Sequence, residues 1–124
     1  MVKAEFKKDP VSGSLIMTMR GHARSGDAGK DLICASCSTL AFTLAHLTQV
    51  MHAQVKLQKE PRLLLRPGRA EIVARPKEEF RAEALFAFFY TQAGLYLLEE
   101  NFPENVQVKR FDQGESLLTK EPSP

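Results

Sequence analysis

The chain has only two cysteines in 124 residues, no block of like charge and no segment offering the roughly 20 apolar residues that a bilayer span requires. Each scarcity narrows the function. Cys34 and Cys37 stand only three apart, a poor placement for a structural staple, and a reducing compartment would keep both as thiols. Residues 1–8 lack the apolar stretch of a signal peptide. A cytoplasmic protein without membrane contact is expected. The formal charge is +2, with Lys and Arg scattered among the acids, so no basic stripe points to direct binding of nucleic acid.

With 44% hydrophobic and 26% charged residues, the composition is that of an ordinary globular protein, and the length fits one domain. Val2, Ala4 and Phe6 alternate with charged residues. After turn signals at Asp9-Pro10 and Ser12-Gly13, Leu15, Met17 and Met19 alternate again, giving a hairpin. From Leu32 the period lengthens: Ile33, Cys37, Leu40, Leu44, Leu47 and Met51 form a helical stripe to about His52, with Asp31 as N-cap. Leu63 to Arg66 and Arg69 to Arg75 flank Pro67-Gly68 as a second hairpin.

Glu78 and Glu79 open a second helix that ends near Asn101 and Pro103. Phe86, Tyr90, Ala93 and Leu97 widen its apolar surface, so this helix is buried on two sides or shares one side with a second subunit. Alternation around Val106 and Val108 gives a last strand, and residues 112–124 read as a polar, disordered tail behind a domain of residues 1–111. The order ββαββαβ, joined by hairpins, favours an α+β fold with a mainly antiparallel five-stranded sheet and two helices.

The chemistry concentrates between the first hairpin and the first helix. His22 ends a strand, and Cys34 falls in the first turn of a helix, where unpaired backbone N–H groups favour a thiolate. Terminus effects of about 0.3–1 kcal/mol do not generate a neutral-pH thiolate alone, so an imidazolium from His22 is the natural second source. The pair suits nucleophilic attack on a peptide carbonyl, with backbone N–H groups of Cys34 and Ala35 as oxyanion donors. Asp31 opposes a second negative charge in that turn, unless it also orients His22. Ser38, four residues after Cys34, shares its helical face, and its hydroxyl either reaches the site or bonds a backbone carbonyl. Gly26 and Gly29 give the intervening loop the freedom of a lid.

Blander readings stand beside this one. A cysteine on an apolar helix is more often a small buried hydrophobe, and a histidine at a strand end is usually structural. Cys34-x-x-Cys37 also has dithiol spacing, without the Trp-Cys-Gly-Pro surroundings of thioredoxins. Zinc would need two more ligands, and His46 and His52 lie far down the helix, so no metal or other cofactor is expected. A noncatalytic ribosome-assembly or peptide-binding module is the rival from another class.

Gly21-His22-Ala23 followed by Gly29-Lys30-Asp31-Leu32-Ile33-Cys34-Ala35-Ser36-Cys37-Ser38 closely resembles the pattern of the bacterial ribosomal-processing cysteine protease family, Prp. The resemblance covers about residues 2–111. It implies that His22 and Cys34 are the catalytic pair, that Asp31, Ser38, Ala35 and Gly21 support the site or substrate, and that the enzyme works as a homodimer. It also implies a substrate: the N-terminal extension of large-subunit ribosomal protein twenty-seven, whose apolar and aromatic end would suit a hydrophobic groove beside Cys34, closed by the Gly26 and Gly29 loop. Cys37 departs from the family, where an aliphatic residue is usual.

Overall fold

The computed structural model of the chain describes residues 1–22 and 32–111. The expectations for Asp31 as cap and orienting group, for the Gly26 and Gly29 lid, and for a disordered tail over 112–124 fall outside the described residues.

Among the described residues the strands and α-helices are β1 (Val2–Lys8), β2 (Leu15–Arg20), α1 (Leu32–Ala53), β3 (Arg62–Arg66), β4 (Arg69–Ala74), α2 (Arg81–Asn101) and β5 (Val106–Lys109). The β1–β2 turn is held by Asp9, whose carboxylate accepts hydrogen bonds from the Ser12 hydroxyl at 2.8 Å and the Val11 N–H at 3.1 Å. Those donors keep the Asp9 carboxyl below its usual pKa. Glu78 and Glu79 do not open α2. They sit in a 3-10 turn, Glu78–Phe80, and the α-helix begins at Arg81. β5 ends at Lys109, and Phe111 beyond it is buried, with its N–H donating to Gln92 Oε1 at 2.8 Å.

The sheet order is β3-β4-β2-β1-β5. Three of the four pairings are antiparallel, and β1 with β5 is parallel, so the sheet is mixed. Alternation sets its two faces: Val2, Ala4, Phe6, Leu15, Met17, Ile72, Ala74 and Val106 are buried, while their neighbours in each strand point the other way. Both helices cover the buried face, α1 chiefly over β4 and α2 over β5, β1 and β2, and they pack against each other. Among the described residues the opposite face carries no helix.

Helix α1 corrects one expectation. Its 22 residues are long and apolar enough, by length and composition, to cross a bilayer. It is nevertheless this fold's core helix, burying Ile33, Cys37, Ala41, Leu44, Ala45, Thr48 and Met51. The alternatives for α2 also resolve: Phe86, Tyr90 and Leu97 are exposed at 68%, 62% and 57%, so one chain does not bury this helix on two sides.

Candidate active site

Two glycines fix the histidine. β2 ends at Arg20, and Gly21 takes φ +100°, a left-handed conformation, where a Cβ would also collide with the Met1 carbonyl oxygen. The Gly21 N–H donates to the Gly68 carbonyl at 2.9 Å, tying the end of β2 to the β3–β4 turn. Gly68, at φ +77° after Pro67, lies under the imidazole of His22. A Cβ built on Gly68 would stand 2.6 Å from His22 Nε2.

Helix α1 supplies the thiol. Cys34 is its third described residue and is half-buried. His22 and Cys34 line one cleft of about 230 Å³, together with Gly21 and Ser38. Phe42, Leu65, Pro67 and Gly68 give the cleft an apolar stretch, and Arg66 and Arg69 on either side of the turn line it as well. Ala35 is exposed and does not line the cleft. Ser36 and Thr39 donate back to Leu32 and Ala35 carbonyls at 2.8 and 2.9 Å, whereas the Ser38 hydroxyl makes no hydrogen bond among the described residues. It is available to the cleft.

The two cysteines differ in kind. They are not joined in a disulfide. Cys37 is 2% exposed, and burial, aided by the charge of Cys34, pushes its thiol up to about 11. At neutral pH Cys37 is therefore a neutral packing residue, and the half-buried Cys34 is the thiol positioned for chemistry. Among the described residues no group of three His, Cys, Asp or Glu side chains gathers in metal-binding proximity.

Sequence reasoning located His22, Cys34 and Ser38 but gave the β3–β4 hairpin no part in the site. The available signal was Pro67-Gly68, a turn between two short strands whose ends must lie beside the end of β2 if β4 pairs with β2.

The sequence profile of the family described as cysteine protease Prp matches residues 1–107. The chain belongs to that family. It is a cysteine protease. No curated protein sequence matches it. Among solved structures, a Prp from S. aureus, described as an essential ribosomal processing protease in complex with a covalently linked product peptide, is 21% identical, with TM-score 0.66, over 89% of this chain and 99% of the other. The same protease with a substrate peptide gives 20% identity and TM-score 0.62 over the same shares. SMU.848 from Streptococcus mutans gives 24% identity and TM-score 0.62 over 90% and 94%. At these identities the solved structures establish that the chain shares the Prp fold.

Proposed function

We propose that the chain removes the N-terminal extension of large-subunit ribosomal protein twenty-seven during ribosome assembly, with Cys34 as nucleophile and His22 as general base and acid. The observation that carries the assignment is the single cleft lined by both side chains in a member of a cysteine protease family. Cys34 Sγ attacks the scissile carbonyl carbon, and backbone N–H groups of the first turn of α1 hold the developing oxyanion. His22 takes the Cys34 thiol proton and, as the C–N bond breaks, hands it to the departing amine. Water then adds to the thioester, giving one proton to His22, and the C–S bond breaks to restore the thiolate and release the new carboxyl group, which loses its remaining proton to solvent. Gly21 and Asp31 support the pair, Ser38 contacts the substrate, and no cofactor takes part.

The substrate choice draws support from the S. aureus structures, described as a ribosomal processing protease with bound peptide. The apolar stretch of Phe42, Leu65 and Pro67 suits an apolar end to the extension. Such a substrate places the reaction in the cytoplasm. The exposed row Phe86, Tyr90 and Leu97 on α2 supports a homodimer.

The test is incubation with a peptide spanning the extension junction, read by mass spectrometry. Wild type should cut once, Cys34→Ala should not cut, and Cys34→Ser should bind without turnover. Undiminished cleavage by Cys34→Ala would remove the nucleophile assignment.

A further inference from the structure

The strand registers gather cations that are far apart in the chain. Lys3 of β1 faces Arg20 of β2, Arg20 faces Arg69 of β4, and Arg69 faces Arg66 of β3. All four are exposed, and strand alternation points them from the face that carries no helix. With neighbouring strands about 4.8 Å apart, the row runs about 14 Å across the sheet. Like charges directly opposite on adjacent strands oppose sheet formation. No ion pair with any of the four exists among the described residues, although Arg62 on the same face has Glu71 at 3.6 Å.

Among the described strand residues, Lys7, Arg62 and Lys109 project the same way, against only Glu5 and Glu71. Seven cations and two carboxylates leave the described strand residues of this face with a surplus of five. A shallow depression of about 680 Å³ on the basic face is lined by Lys3, Arg20 and Lys109 among others.

We propose that this open sheet face binds the phosphate backbone of RNA. Three of the four row residues are arginines, whose planar fork takes phosphate oxygens in pairs. The exposed large aromatics, Phe42, Phe86, Tyr90 and Phe102, all lie on or at the end of the helices, so this face offers no platform on which bases stack. The charge extends in two dimensions, since Lys7 lies four residues, about 13 Å, along β1 from Lys3. That breadth fits the paired strands of a duplex, whereas one extended acidic peptide would meet a single line of it. RNA as the polyanion rests on the ribosomal substrate proposed above. Positions 3, 20, 66 and 69 look scattered in the linear sequence, which argued against a nucleic-acid partner, and only the register brings them together. Because Arg20 adjoins Gly21-His22 and Arg66 and Arg69 flank the Pro67-Gly68 turn, RNA held here would lie at the rim of the cleft and bring a protein carried on that RNA to Cys34.

Fluorescence anisotropy with a labelled RNA duplex of about 16 base pairs tests this. Binding should weaken steeply with salt. Lys3→Gln combined with Arg20→Gln should weaken it at least tenfold and reduce the slope of log K against log salt by about two. Lys56→Gln combined with Arg110→Gln, which removes two cations packed against Phe80 and Tyr96 on the helical side, should bind as wild type. The row variant should melt no lower than wild type and should cut a short peptide at the wild-type rate, so its loss of binding cannot be misfolding. Poly-glutamate or vesicles with anionic headgroups binding as tightly as RNA, or equal losses in the two variant pairs, would overturn the proposal. Failure of RNA binding with peptide cleavage intact overturns the RNA face alone, and the converse overturns the protease assignments alone.

Discussion

His22 Nε2 lies 2.6 Å from the point where a Cβ on Gly68 would stand, although 46 positions separate the two residues. The imidazole rests on a turn of another hairpin, so a side chain at position 68 displaces the proposed base. Gly68→Ala should lower kcat/KM by on the order of 100-fold, the effect of shifting a catalytic group by about 1 Å. It should also cost about 1–2 kcal/mol of stability, because alanine resists φ +77°. Gly68→Asn separates the two effects: asparagine tolerates positive φ but still carries a Cβ. It should melt nearer to wild type and remain impaired in peptide cleavage. Full activity in either variant would show that the ring does not need this seat.

The Ser38 hydroxyl has no hydrogen-bond partner among the described residues and Ser38 lines the cleft, so the hydroxyl is available to substrate. Ser38→Ala should reduce kcat/KM by roughly 2- to 10-fold, the equivalent of one neutral hydrogen bond. Its melting temperature should hold or rise slightly, since alanine is the better helix former. Unchanged kinetics would remove Ser38 from the site.

What the sequence disclosed, and what it withheld, follows from the range of the interactions involved. The β1–β2 hairpin and α1 are written in local periodicity, period 2 at Val2, Ala4 and Phe6, then near 3.6 from Ile33 to Met51, because each element needs only one buried face. The pairing of β2 with β4 has no local signature. On that pairing depend both the seat of His22 and the facing of Arg20 with Arg69. Nor does periodicity say that both helices share one side of the sheet. At the start of α2, Glu78 and Glu79 looked like helix-opening acids, but Phe80, at φ −114° and ψ 14°, stands outside the α-helical conformation and separates their 3-10 turn from the α-helix.

Phe86 and Tyr90 lie on the outer face of α2 with ring centroids 6.4 Å apart, both exposed, beside a groove of about 560 Å³ shared with Leu47 and Val50 of α1. If this face joins two copies, sedimentation should give twice the 13.9 kDa chain mass for wild type. Phe86→Glu and Tyr90→Glu should each shift the protein toward monomer with far-UV circular dichroism intact, because neither side chain supports the core of its own chain. Monomeric wild type at micromolar concentration would refute the dimer.

Cys37 gives an alkaline signature. Burial, with a smaller contribution from the charge of Cys34, moves its thiol from 9.0 to about 11 in the folded chain. Between those values the unfolded chain has lost this proton while the native chain keeps it, so the unfolded state binds fewer protons and stability falls as pH rises. The contribution is whole below about pH 9 and is lost on the way to about pH 11. Cys37→Val, which keeps an apolar side chain at the position, should flatten the decline of the urea midpoint across that window. Tyr96, also pushed up by its hydrogen bond to Glu100, titrates in both proteins and cancels in the comparison. Iodoacetamide near neutral pH should modify Cys34 in native protein and reach Cys37 only after unfolding. Equal labelling of both thiols in the native state, or identical alkaline decline in the valine variant, would mean that Cys37 is not the buried neutral thiol beneath the cleft.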